Sequence, residues 1–220
     1  MQKTDTYKTL AGKSLGEFKD RGSKFIAYAF PAKDKETIEQ CLLDVRKEHP
    51  KARHHCYAYR LGMDQYNFRA NDDGEPSGTA GRPMLGQIDS AGLTNTIIIV
   101  VRYFGGTLLG ASGLINAYKK SAAHAIEQGK IVEKIVQDFF TIAFDYKHMS
   151  KVMSAVSKLP IDIVEQRFEI SAEMDIAIRQ SKVEDTIRHL KAIVAGVYLE
   201  EVDDLEGIDG FEIKETLDVG

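Results

Sequence analysis

Three short stretches hold most of the residues able to do chemistry: His54-His55-Cys56-Tyr57-Ala58-Tyr59, the loop Asp72-Asp73-Gly74-Glu75-Pro76-Ser77-Gly78-Thr79-Ala80-Gly81, and Val101-Arg102-Tyr103-Phe104-Gly105-Gly106-Thr107-Leu108-Leu109-Gly110. In the third, glycines free several consecutive amides just before a predicted helix, a concave donor surface that suits a phosphate or carboxylate. The same glycines also serve a tight turn and close packing behind a strand. The loop is not a Walker loop, because Gly-x-x-x-x-Gly-Lys-Ser/Thr is missing, nor a dinucleotide fingerprint, because Gly-x-Gly-x-x-Gly is not met. Arg102 can pair with phosphate and Tyr103 can stack a base. The opposing reading puts Tyr103 and Phe104 in the core and pairs Arg102 with Asp72, Asp73 or Glu75.

Asp72, Asp73 and Glu75 have the chemistry of a general acid or base, or of a Mg²⁺ ligand set, and turn formation accounts for them as well. On a strand His54 and Cys56 point to one face while His55 and Tyr57 point to the other, so one histidine is expected buried and one near the loop. Zinc requires three or four converging ligands, which this spacing does not supply, and neither a metal nor a cofactor is expected. Ser112 and His124 lie too far apart along one predicted helix to form a nucleophile and base.

The elements that must position these residues follow from periodicity. Tyr7 to Ala32 reads as two antiparallel strands around the turn Asp20-Arg21-Gly22-Ser23. Asp34 is placed to cap a helix with Ile38, Leu42 and Val45 on one face. His54 to Leu61 is a strand, a shorter one lies around Tyr66 to Arg69, Pro83 to Ile88 is a short helix, and Thr96 to Tyr103 is an apolar strand needing cover on both faces. A helix carrying Leu114, Ile115, Tyr118, Ala122 and Ile126 follows and stops at Gly129. The rhythm then changes: a strand from Phe139, a helix around Val152, two strands split near Ser171, a helix with the capping box Ser181-x-x-Glu184 and Gly196 beyond its end, and a last strand from Val197 to Val202. That βαββαβ order is ferredoxin-like.

With 220 residues, 43% of them hydrophobic and 28% charged, the chain is long enough for two globular domains. We place them at 1–131 and 132–205, with 206–220 as an acidic tail. No apolar run approaches the ~20 residues of a membrane span, and the first ten residues are polar, so a cytoplasmic protein with reduced, buried Cys41 and Cys56 is expected. The net charge of −4 hides an asymmetry: residues 1–131 hold 19 Lys and Arg against 14 Asp and Glu, and residues 132–220 hold 10 against 19. A basic half joined to an acidic half is compatible with nucleic-acid contact in the first.

Together the three stretches resemble the signature of the IMPACT family, and the chain length and βαββαβ second half resemble its bacterial YigZ branch. The resemblance implies an α+β protein of two domains. The first would be ribosomal-protein-like, similar to domain IV of elongation factor G and to GHMP kinases; the second would be ferredoxin-like, similar to domain V of that factor. It further implies a translation-associated regulator that binds RNA, the ribosome or a translation factor. The site is drawn from His54, His55 and Tyr57 on the strand, Asp72, Asp73, Glu75, Ser77 and Thr79 in the loop, and Arg102, Tyr103, Gly105, Gly106 and Thr107 at the strand exit. The rival readings are an enzyme acting on a phosphorylated small molecule or nucleic acid, and a protein-partner adaptor.

Overall fold

The structure, a computed structural model, describes residues 5–64, 66–169 and 172–216. The chain divides into two compact units, Tyr7–Lys134 and, from Ile135 onward, a second unit that also includes the residues before Tyr7. Among the described residues no helix is long and apolar enough to cross a membrane.

The larger unit follows from one strand that is apolar throughout. Strand β6 (Thr96–Tyr103) is buried from Thr96 to Arg102 and therefore sits in the interior of an antiparallel sheet. The sheet runs in the order β2 (Ser14–Asp20), β3 (Ser23–Pro31), β6, β4 (His54–Arg60) and β5 (Phe68–Asn71). Ile98 and Val100 face helices α2 (Gly81–Ser90) and α3 (Gly110–Glu127), with Met84, Ile88, Leu114 and Tyr118 among the residues packed there. Ile97, Ile99 and Val101 face the other way, toward Ile38 and Val45 of α1 (Lys35–Glu48). Asp34 starts α1 by accepting the Thr37 amide at 2.7 Å, the expected cap. Gly16 lets α3 lie directly on β2, because a Cβ there would come within 2.3 Å of the Ala125 nitrogen.

The segment Tyr7 to Ala32 holds three strands rather than two. Chain direction breaks after β1 (Thr6–Leu10), which leaves the sheet and pairs with β7 (Ile131–Ile135) in a two-stranded ribbon. Ile115, expected on the inner face of α3, is exposed; Ala117, Ser121 and Ala125 take the buried positions.

The second unit has the element order β8 (Gln137–Phe144), α4 (Met149–Lys158), β9 (Ile161–Phe168), β10 (Ala172–Arg179), α5 (Val183–Ala195) and β11 (Phe211–Thr216), with the sheet order β11-β8-β10-β9. This is the ferredoxin-like arrangement, closed over a core that includes Ile142, Val152, Met174, Ile176, Leu190 and Val194. Three readings of the sequence are corrected here. Val197 to Val202 is not a strand: Leu199–Asp204 is a 3-10 helix in which only Val202 is buried, so its acidic residues keep their solvent. The fourth strand comes instead from the stretch expected to be an acidic tail, where Phe211 and Ile213 alternate with Glu212 and Lys214 and pack on the core. Nor does Ser181 cap α5. A 3-10 turn precedes that helix, and the Ser181 amide and hydroxyl bond Asp5. The expected break at Ser171 lies outside the described residues, as do the last four residues of the expected tail.

Candidate functional site

Strands β4 and β6 run antiparallel with His54 opposite Arg102, so the first and third chemical stretches meet at one end of the sheet. Alternation then sorts their side chains. His54, Cys56 and Arg102 lie on the face covered by α2 and α3, whereas His55, Tyr57 and Tyr103 lie on the face covered by α1. The thirteen expected site residues therefore do not form one pocket.

The acidic loop is tied to the fold by its own carboxylates. Asp72 accepts the amides of Gly78, Ala80 and Gly81 at 2.8 to 2.9 Å, which closes the loop and caps the start of α2. Burial works to raise its pKa, but those three amides outweigh it and hold the carboxyl below its usual range. Asp73 accepts the His55 amide at 2.7 Å through its side chain, and its carbonyl lies 2.8 Å from His54 Nδ1. Since a carbonyl only accepts, the proton of neutral His54 sits on Nδ1 and Nε2 carries the lone pair. Thr79 is buried with its hydroxyl donating to the Pro76 carbonyl, and Ser77 is exposed.

Beneath the loop lies a buried polar chain. Arg102 Nη1 donates to Glu75 Oε1 and Oε2 at 2.7 and 2.9 Å, and the Tyr118 hydroxyl donates to Oε1 at 2.8 Å. Cys56 Sγ lies 3.0 Å from the Asp72 carbonyl and 3.3 Å from the Tyr118 oxygen. Burial pushes both the Cys56 thiol and the Tyr118 phenol up, so each stays protonated at neutral pH. The Arg102 guanidinium is also stacked, with its carbon 5.5 Å from the ring centres of both Phe25 and Phe104. Its Nε is buried without a hydrogen-bond partner among the described residues. Arg102 is thus an internal ion-pair residue, and Glu75 is the carboxylate that orients it.

Four further expectations change. Gly105 does not offer its amide outward: its N–H goes to Ser23 Oγ at 3.1 Å, and a Cβ there would fall 1.9 Å from Gly22, so the glycine is required by close packing on the β2–β3 turn. Gly106 and Thr107 are exposed. Tyr103 is held through its hydroxyl, 2.9 Å from His49 Nδ1; His49 Nε2 in turn lies 2.6 Å from the Tyr28 hydroxyl, which donates to Glu48. Phe104, assigned to the core in one reading, is 56% exposed, so it and not Tyr103 is the outward aromatic. Cys41 is only half-buried.

At this end of the sheet a groove of about 520 Å³ is lined by Lys51, Arg53, His54, Arg102, Tyr103, Phe104 and Leu108. Lys51 and Arg53 are exposed, and among the described residues their side chains have neither an ion-pair nor a hydrogen-bond partner. Leu108 is 82% exposed on the rim, two residues before α3, whose first turn has no side-chain cap. Lys51, Arg53 and Leu108 are the groove residues that sequence reasoning passed over. The run Lys51-Ala52-Arg53-His54 was the signal for the first two; Leu108 had none, since an apolar residue beside glycines reads as core.

The Impact N-terminal domain family model matches residues 21–126, the span that contains every groove residue. An IMPACT family member of Haemophilus influenzae is 33% identical over 164 residues, 74% of this chain and 80% of that one. The IMPACT family member YigZ of Escherichia coli is 32% identical over 163 residues, 73% and 80% of the two chains. A solved crystal structure of a hypothetical protein superposes with a TM-score of 0.66 at 28% identity, covering 88% of this chain and 93% of that one. With relatives matched over most of their length and across both units, the chain belongs to the IMPACT family.

Proposed function

We propose that the protein is a translation-associated regulator that binds RNA, free or within the ribosome, through the groove of its larger unit. The observation that carries this is the pair of unpartnered cations, Lys51 and Arg53, beside an exposed aromatic ring. Surface Lys and Arg gain little from exposed ion pairs, so two free ones prove nothing alone. Lining one concave surface with Phe104, they match how proteins hold a single strand: cations along the phosphates and a ring for the bases. The excess of basic residues in 1–131 draws polyanions to this unit, and the acidic second half disfavours them there. The family resemblance implies units similar to domains of a ribosome-binding GTPase, which fits the same setting by analogy.

The test is RNA binding by fluorescence anisotropy across a salt series, together with sedimentation of lysates through sucrose gradients. For K51E/R53E the affinity is expected to fall for all sequences alike. The slope of log affinity against log salt should flatten by at least roughly 1.4, the share of two phosphate contacts on a single strand. An unchanged slope, with the protein staying at the top of every gradient, rejects the proposal. Binding of nucleoside phosphates without RNA would move it to the enzyme reading.

A further inference from the structure

The groove's aromatic wall has an internal support. Phe25 lies fully in the core, and the Arg102 guanidinium lies over its ring and over the ring of Phe104, with both ring centres 5.5 Å from the guanidinium carbon. The cation cannot swing away, because Glu75 holds it by two hydrogen bonds inside the protein. One face of Phe104 is therefore occupied by a fixed cation, while the ring as a whole remains 56% exposed. An exposed ring backed this way has a favoured placement before any ligand arrives, which lowers the ordering cost of stacking. Close by, Leu108 projects 82% exposed from the glycine loop, and Gly105 anchors that loop to the β2–β3 turn.

We infer that Phe25, Arg102 and Phe104 form a three-layer stack whose outer layer receives one unpaired RNA base, so that the groove selects single-stranded over duplex RNA. This rests on the reading of the groove as an RNA site. A base inside a duplex has both faces covered by its neighbours and its backbone in A-form, and only a splayed-out base offers a face to an aromatic platform. The phosphates of the same strand meet Lys51 and Arg53. The layers differ in role: Phe104 touches the base, while Arg102 and Glu75 position Phe104.

The experiment uses the full chain with a uridine oligonucleotide carrying one 2-aminopurine, single-stranded or annealed to its complement. The single strand is expected to bind more tightly than the duplex, with 2-aminopurine emission quenched by stacking. Phe104→Ala should weaken single-strand binding roughly 5- to 150-fold and abolish the quench, as loss of a base–aromatic stack does. Phe104→Trp should preserve both. Phe104→Leu separates stacking from mere cover of the Arg102–Glu75 pair: full binding by this variant would overturn the inference. Equal affinity for duplex, or Phe104→Ala within twofold of wild type, would overturn it too. If K51E/R53E still weakens binding in that case, the RNA reading survives without the platform; if wild type binds no RNA, both fall together. Phe104 is largely exposed, so these variants are expected to fold, with near-ultraviolet circular dichroism as the check.

Discussion

Each unit carries an arginine–carboxylate pair at its sheet, and the two pairs differ in how far the arginine is withdrawn from solvent. Arg102 and Glu75 have side chains 8% and 3% exposed, on the helix-covered face of the larger unit. Arg167 of β9 and Asp175 of β10 meet at 2.6 Å on the face away from the helices, with 38% and 10% exposed, and Thr141 completes the carboxylate's bonding. The same chemistry has different consequences in the two places. A buried pair offsets its desolvation only while both partners are present, so it specifies geometry more than it stabilises. A pair whose arginine stays partly open to water is screened more strongly, and that arginine keeps exposed carboxylates of Glu165 and Glu173 as further partners. The larger unit thus spends a buried ion pair on aiming one ring at solvent.

The largest effect expected from this contrast is at Glu75. Glu75→Ala leaves the Arg102 charge buried without its partner and should cost about 3 to 5 kcal/mol in urea unfolding. Glu75→Leu with Arg102→Met, which removes both charges, should recover most of that loss while still weakening RNA binding, by no more than Phe104→Ala does. Full recovery of binding would show that the pair aims nothing.

An intermediate effect is expected from pH, because the units respond to acid in different windows. Burial first, then the neighbouring charges of Arg46 and His49, lowers the His55 pKa against the pull of the His49 carbonyl and Asp73. The folded state therefore binds that proton less readily than the unfolded chain, and stability falls as pH drops below the ordinary histidine value of 6.5. In the second unit Arg167 and Thr141 lower the Asp175 pKa, so its contribution is full above the ordinary 3.8 and is lost only as pH falls below it. Hydrogen exchange followed separately in each unit between pH 7 and 5 should show the larger unit loosening and the smaller one unchanged, and His55→Phe should remove the difference. Loosening of both together would mean that other groups govern the acid response.

The smallest effect is expected at Arg167. Arg167→Ala should shift unfolding of the second unit less than Glu75→Ala shifts the first, and added salt should shrink the shift further, since this pair is screened. A salt-independent loss as large as that at Glu75 would erase the distinction between the two pairs.

The fold was readable wherever a local pattern was strong. The apolar run of β6, the Asp34 cap and the βαββαβ order of the second unit all follow from spacing. The last strand was misplaced because Val197 to Val202 and Phe211 to Thr216 are both short and mixed, and only packing against β8 distinguishes them. At the candidate site, strand alternation sorted His54 from His55. Pairing of Arg102 with Asp72, Asp73 or Glu75 was among the readings, but the choice of Glu75 and the exposure of Phe104 were not readable, because they depend on contacts remote in sequence. Glu75 reaches Arg102 across a closed loop, and Gly105 turns the chain outward by resting on Gly22, which no local window contains.

The ribbon of β1 and β7 gives the larger unit the topology of a cassette. The polypeptide enters it and leaves it through two strands that are hydrogen-bonded neighbours, and so the unit's two ends lie side by side. Its ends could be joined by a few residues and new ones opened at an exposed turn, giving a circular permutant. During synthesis the same arrangement delays completion: the entry strand must wait for its ribbon partner until more than a hundred further residues have been made.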